Sequence, residues 1–101
     1  ISLRRMIELI CTNPAKVFGL YPKKGIIALG ADADFVLIDP EREETISKDE
    51  MFTRCRASAR VFDGWRVFGK PERTIVRGRT VFANGKITTE PGWGKIARRF
   101  A

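Results

Sequence analysis

The chain has 101 residues, of which 44% are hydrophobic and 31% are charged, a balance that fits one small folded domain and excludes a disordered chain. Its formal charge is +7, and it contains no histidine, the usual acid–base group near neutral pH and a common zinc ligand. No apolar run approaches the roughly 20 residues that a membrane-spanning helix requires, so we expect a cytoplasmic protein.

The N-terminal segment predicts a helix that begins after Ser2, a residue type that caps helices well. Four apolar residues recur at helical spacing and share one face: Leu3, Met6, Ile7 and Ile10. Asn13 and Pro14 predict the end of this helix, near Cys11, and the start of a short second one. Gly19 then predicts a left-handed end of the second helix.

The middle of the chain predicts one strand and one short helix. Residues 35–38 are continuously apolar, as in a strand covered on both faces, and Pro40 is expected to end it. Ser47 and Glu50 have the spacing of a capping box, which predicts a short helix through Phe52.

The last third of the chain predicts a three-stranded meander. Residues 61–71 contain two glycines and a proline, which indicate an irregular loop followed by a short strand. Arg77-Gly78 predicts the first tight turn of the meander. Asn84-Gly85 predicts the second, because both residue types tolerate positive φ.

Three aspartates around the apolar strand are the first candidate site: Asp32, Asp34 and Asp39. Paired carboxylates can share a metal ion or act as acid and base. Short acceptor side chains at turns also satisfy backbone N–H groups, and we predict this structural role. Lys23 and Lys24 could attract an anion, but a solvated turn is the interpretation that we prefer.

Aromatic residues near arginines are the second candidate. Phe62, Trp65 and Phe68 could stack nucleic-acid bases, although their spacing also suits packing of a loop over a small sheet, which we predict. The basic residues are dispersed, which favours solvated surface, and a free-standing basic module that binds nucleic acid or another protein remains the alternative.

Four motifs, in this order, resemble the C-terminal end of a cyclic-amide hydrolase of the amidohydrolase superfamily: ISLRRMIELICTNPAKVFGL, KKGIIALGADADFVLIDP, FDGWRVFGKPERTIVRGRTVFANGKI and PGWGKIARRF. The resemblance points first to dihydroorotase, and next to hydantoinase or dihydropyrimidinase and to allantoinase. The resemblance implies a parent enzyme that reversibly opens a cyclic amide in pyrimidine metabolism.

The resemblance also implies an α+β fold, mainly β, that belongs to a larger enzyme. Residues 1–20 would be a helical segment that closes a (β/α)₈ barrel, residues 21–88 a β-rich side domain, and residues 89–101 a tail. In similar enzymes this tail reaches over a neighbouring surface, so Trp93 is expected to act as a clasp or at an interface. The zinc ligands of such enzymes would precede residue 1, so the resemblance implies no catalytic, cofactor-binding or metal-binding residue in this chain, and an inactive segment on its own.

The expected partners follow from the same resemblance. The rest of the barrel and the N-terminal strands of the parent would cover the apolar helix face and complete the sheet. Without them, an open strand edge and an uncovered helix face predict a homodimer or a higher oligomer. No membrane partner is expected, and nucleic acid is disfavoured.

Overall fold

The structure is a computed structural model that describes residues 1–99. Its helical elements are α1 (Leu3–Ile7), a π-helical turn (Glu8–Thr12), α2 (Asn13–Val17) and two 3₁₀ helices (Lys48–Glu50 and Arg56–Phe62). Its strands are β1 (Phe35–Thr45), β2 (Arg66–Val76), β3 (Arg79–Ala83) and β4 (Lys86–Ile87). The strands form one antiparallel sheet in the order β1-β2-β3-β4, which confirms the α+β class.

The chain divides into two compact units. Unit 1 contains Ile1–Val36 and the chain from Arg73 onward, whereas unit 2 is Leu37–Glu72. Unit 1 therefore holds α1, the π-helical turn, α2 and the β3-β4 hairpin, and unit 2 holds most of β1, most of β2 and the connection between them, which contains the two 3₁₀ helices. Among residues 1–99, no helix is long and apolar enough to span a membrane.

The N-terminal helix begins as predicted but does not break at Asn13. The Ser2 hydroxyl accepts a hydrogen bond from the Arg5 N–H at 3.2 Å. Asn13 has helical dihedral angles, and its N–H bonds to the Glu8 carbonyl, five residues earlier. The predicted break is wrong because a π turn widens the helix before Pro14, which has no N–H and would crowd the carbonyl four residues earlier.

The end of α2 packs closely against the following loop. Gly19 has a φ of +68°, as predicted, and the Leu20 N–H donates to the Ala15 carbonyl at 2.7 Å. Gly25 lies against the helix, where a Cβ would come within 2.6 Å of the Ala15 Cβ and 2.8 Å of the Cys11 carbonyl oxygen. Ala15, 6% exposed, is the one buried residue in the part of the chain that the structure describes.

Both prolines that should have limited the strands lie inside them. β1 continues through Pro40 to Thr45, so the predicted strand end is wrong. β1 is at the edge of the sheet, where a proline needs no partner on its outer side. β2 runs through Gly69 and Pro71 to Val76, so the predicted loop is shorter than expected. Pairing with neighbouring strands overrides the local breaker signals.

The apolar run at the start of β1 is not covered on both faces. Val36, Leu37 and Ile38 are each about half exposed, at 53%, 49% and 49%. The expectation of burial on both faces is therefore wrong for this chain, although the strand itself is present.

The meander has the two predicted tight turns. Val76 pairs with Arg79, and the turn residues Arg77 and Gly78 have φ values of +46° and +79°. In the second turn, Asn84 and Gly85 have φ values of +52° and +74°. Two consecutive residues with positive φ are typical of a type I′ turn, whose twist matches that of antiparallel strands.

The capping box at Ser47 does not form. The helix that follows is a 3₁₀ turn of three residues, Lys48–Glu50, which ends before Phe52, and the Ser47 side chain makes no capping hydrogen bond. The Lys48 N–H instead donates to the Asp63 carboxylate at 2.9 Å. Asp63, which is distant in sequence, therefore caps this helix, and the three-residue spacing of Ser47 and Glu50 does not predict that contact.

Candidate functional site

The carboxylate of Asp34 joins separate segments of unit 1. One oxygen accepts the backbone N–H of Arg77 at 2.8 Å, and the other accepts a hydrogen bond from the Lys24 ammonium. Lys24 also pairs with Asp32, at 2.8 Å between Nζ and Oδ2. Asp32 and Asp34 therefore act as acceptors that hold Lys24 and the first tight turn in place.

These contacts shift two pKa values. Partial burial opposes the shift of Lys24, but its hydrogen bonds to Asp32 and Asp34 outweigh that effect and raise the pKa of the ammonium group. Partial burial would likewise raise the pKa of Asp34, but the Lys24 ammonium and the Arg77 N–H outweigh it and lower the pKa of this carboxyl. Both groups are therefore charged near neutral pH.

The described carboxylates do not fit a zinc ion. Asp39 accepts the backbone N–H of Glu41 at 3.0 Å, a local acceptor role of the kind that was predicted, although Asp39 lies inside β1 and not at its end. Across residues 1–99, no group of three or more His, Cys, Asp or Glu side chains converges on a point. The nearby pair of Asp32 and Asp34 already faces the Lys24 ammonium, which would repel a metal ion.

Trp93 fastens the C-terminal tail to the first tight turn. Its indole N–H donates to the Val76 carbonyl at 2.8 Å. The guanidinium groups of Arg77 and Arg79 lie over its ring, at 4.6 Å and 3.8 Å from the centroid. Arg77 also donates to the Trp93 carbonyl. The clasp expected for Trp93 thus acts within unit 1.

The aromatic residues of unit 2 differ in their contacts. Phe62 and Trp65 meet edge to face, with ring centroids 5.5 Å apart, a packing contact that agrees with the structural role predicted for them. Phe68 lies in β2 and is 71% exposed, which does not agree with the packing predicted for it.

The fold brings together basic residues that are dispersed in sequence. A cavity of about 50 Å³ in unit 1 is lined by five of them: Lys23, Lys24, Arg77, Lys95 and Arg98. Sequence analysis treated Lys23 and Lys24 as a solvated turn and the other three as scattered surface charge. Their convergence was missed because they come from three segments, separated by more than 70 residues at the extremes.

The sequence pattern of the amidohydrolase family matches residues 1–81. Among curated proteins, D-hydantoinase from Ralstonia pickettii is 42% identical over 99 residues, which are 98% of this chain and 21% of that protein. Dihydropyrimidinase 1 from Caenorhabditis elegans is 43% identical over 92 residues, 91% of this chain and 18% of that protein. The chain thus spans about a fifth of the length of these relatives.

Solved structures of hydantoinases contain the same fold. One structure of a D-hydantoinase has a TM-score of 0.84 and 40% identity, and the match covers 98% of this chain and 21% of that chain. The L-hydantoinase (dihydropyrimidinase) from Arthrobacter aurescens has a TM-score of 0.86 and 34% identity over 98% of this chain and 22% of that chain. The likeness therefore extends over both units.

Proposed function

The chain belongs to the amidohydrolase family, and from this premise we propose that it is the C-terminal structural portion of a hydantoinase-like enzyme that opens a cyclic amide. The observation that supports the proposal is the near-complete match of this chain to one fifth of a D-hydantoinase, in sequence and in fold. The sequence resemblance pointed first to dihydroorotase. The similarity to a D-hydantoinase and to a dihydropyrimidinase favours the hydantoinase and dihydropyrimidinase alternative.

Under this proposal, the chain supplies support rather than catalytic groups. Its described carboxylates do not fit a metal ion, and Asp34 and Asp39 are used by backbone N–H groups. The zinc chemistry expected of the parent enzyme would be supplied by residues outside this chain.

The exposed apolar surface supports a role as part of a larger protein. Leu3 is 67% exposed, Ile7 45% and Ile10 63%, along the helix face that we predicted to be covered. Burial of such a side chain is worth about 1.5 to 3 kcal/mol. The proposed occupant of this face is the remaining barrel of the parent enzyme, and the proposed partner of the open sheet edge is the set of N-terminal strands of that enzyme.

A chimera tests the proposed function. The 99 matched residues of the R. pickettii D-hydantoinase would be replaced by the corresponding residues of this chain. We expect the chimera to fold and to retain hydantoin hydrolysis within about tenfold of the R. pickettii enzyme, because the chain would contribute support and not reacting groups. The rate of ring opening would be measured with hydantoin and with dihydroorotate.

Two controls make the chimera decisive. A truncated R. pickettii enzyme without the matched residues should lose activity, and this chain alone should hydrolyse neither substrate. A folded, metal-loaded chimera without hydantoin activity would contradict the proposal. Activity of the chain alone, surviving repurification, would contradict the structural role.

The proposal also includes self-association of the isolated chain. When two copies pair, the uncovered helix face becomes buried and the open strand edge gains hydrogen-bond partners. One self-complementary patch provides these contacts for both copies. We expect light scattering after gel filtration at micromolar concentration to give a dimer or a larger species. A single species at the monomer mass would contradict this expectation and leave the test of the chimera unaffected.

A further inference from the structure

A basic cavity in unit 1 is not used by the proposed function. It lies among the loop that follows α2, the turn before β1, the first tight turn of the meander and the tail, and it encloses about 50 Å³. We propose that this cavity binds one phosphate group.

The positive charge of the cavity is only partly neutralised. Lys24 is balanced by Asp32 and Asp34, its two carboxylate partners. Lys23, Lys95 and Arg98 also line the cavity, and no hydrogen bond or ion pair joins their side chains to another residue in the range 1–99. Three like charges around one cavity repel each other, and a bound anion removes that repulsion.

The Arg77 side chain is held at the cavity before any ligand arrives. Its guanidinium lies over the Trp93 ring and donates one hydrogen bond to the Trp93 carbonyl. Its backbone N–H is held by Asp34 at 2.8 Å. A guanidinium has several N–H donors, so this group can still donate to an anion, and its planar shape suits two parallel hydrogen bonds to a phosphate.

The size of the cavity limits the ligand. A volume of about 50 Å³ accommodates one tetrahedral oxyanion and not a nucleobase or a peptide. Asp32, which is paired with Lys24, also lines the cavity, and the remaining lining residues, Leu20, Ile96 and Ala97, offer apolar walls. The phosphate group could come from free inorganic phosphate or from a nucleoside monophosphate whose base stays outside.

Calorimetric titration of the full chain tests the site. The probes are inorganic phosphate and uridine monophosphate, at an ionic strength kept constant with sodium chloride. We expect saturable binding of one phosphate per chain with a Kd of about 1 mM, and equal affinity within about threefold for the two probes. Absence of saturation, or uridine monophosphate binding more than about tenfold more tightly than phosphate, would overturn a site for a small anion.

Two matched double variants distinguish the effect of charges at the cavity from the effect of the overall charge on phosphate binding. Lys95→Gln combined with Arg98→Gln removes two charges that line the cavity, and neither side chain has a partner among residues 1–99. Arg73→Gln combined with Lys86→Gln removes two charges from exposed strand positions away from it. We expect the first pair to weaken phosphate binding at least about tenfold and the second pair less than about twofold.

Lys95 and Arg98 both lie in the tail, so a further variant outside the tail tests whether a misfolded tail explains the loss of binding. Lys23→Gln changes a different segment of the same cavity and should weaken phosphate binding about threefold. If the cavity pair and the strand pair weaken binding equally, or if Lys23→Gln has no effect, the cavity is not the binding site. No hydrolase activity is measured, so the outcome does not depend on the proposed function.

Discussion

Unit 1 and unit 2 are stabilised by different kinds of contact. In unit 1, side chains bind the backbone of distant segments, as Asp34 does with the Arg77 N–H and Trp93 with the Val76 carbonyl. Unit 2 has one such contact, between Asp63 and the Lys48 N–H, but the side-chain contacts between its strands β1 and β2 are ion pairs, for example that of the exposed Arg42 and Glu72 at 2.8 Å.

The difference predicts unequal sensitivity to mutation. Hydrogen bonds between a side chain and the backbone leave an unpaired group when one partner is removed, whereas exposed ion pairs contribute only about 0 to 1 kcal/mol. The described residues of unit 2 include no buried side chain, and the single buried residue, Ala15, is in unit 1. Substitutions in unit 1 should therefore have larger effects than equivalent ones in unit 2.

The largest effect is expected for Gly25→Ala. The new Cβ would lie 2.6 Å from the Ala15 Cβ and 2.8 Å from a backbone oxygen of Cys11, at a φ of +80°. We expect a loss of about 3 kcal/mol in the free energy of unfolding, from overpacking and backbone strain together. Gly69→Ala in unit 2 is the control, because its φ is +92° but its nearest neighbour is 3.8 Å away.

Urea denaturation of both alanine variants measures the difference. The Gly69 variant should lose about 1 kcal/mol, from strain alone. Equal losses would show that the close approach of the loop to the helix does not determine the stability of unit 1.

Removal of the clasp is the next largest expected effect. Trp93→Ala should lower the free energy of unfolding by about 2 kcal/mol, because the Val76 carbonyl loses its partner and Arg77 and Arg79 lose the ring beneath them. Trp65→Ala removes a 54% exposed ring that makes an edge contact with Phe62, and should lower it by about 1 kcal/mol.

Trp93→Phe separates the two contributions of the clasp. It keeps an aromatic ring but removes the indole N–H, so about half of the loss should remain. If Trp65→Ala is as damaging as Trp93→Ala in chemical denaturation, the contrast between the units does not hold for these residues.

A smaller effect is expected at the second tight turn. Gly85 has a φ of +74° and open space around the position of a Cβ, so Gly85→Val should destabilise the chain by about 1 kcal/mol through backbone strain alone. Gly94→Val, also in open space but outside the left-handed region, should change the melting temperature little. Coincident melts of the Gly85 variant and the parent chain would refute the turn assignment.

The smallest effect concerns pH. The pKa of Asp34 lies below its ordinary value of 3.8, so its contribution to stability is present above about pH 4 and is lost as the pH falls through the lower value in the folded chain. Asp34→Asn should cost about 0.5 to 1 kcal/mol at pH 7, and the difference from the parent chain should shrink toward pH 2. A difference that stays constant between these pH values, measured by urea denaturation, would contradict an electrostatic role.

The exposed pair in unit 2 provides the matched comparison for the pH experiment. Glu72→Gln removes the carboxylate that Arg42 contacts at the surface, and its effect at pH 7 should be smaller than that of Asp34→Asn. A larger loss of stability for Glu72→Gln than for Asp34→Asn would contradict the prediction that unit 1 is more sensitive to mutation than unit 2.

The candidate site was partly predictable. The structural role of Asp34 and Asp39 was expected from their short acceptor side chains, although Asp39 lies inside β1 and not at a turn, and a clasp was expected at Trp93. The basic cavity was not predictable, because Lys23 and Arg98 lie 75 positions apart and only the fold brings them to one place. Charge counts along the sequence do not report such convergence.

The sequence by itself determined the features that depend on neighbouring residues. The Ser2 cap, the left-handed Gly19 and the two type I′ turns follow from the steric and hydrogen-bonding preferences of a few adjacent residues. The tertiary structure decided whether residues that usually end a helix or a strand did so in this chain. Pro40 and Pro71 lie within strands, and Asn13 within a helical run, because strand pairing and a π turn accommodate them. These outcomes depend on partners that are distant in sequence or on a rearranged hydrogen-bond pattern, so no local pattern specifies them.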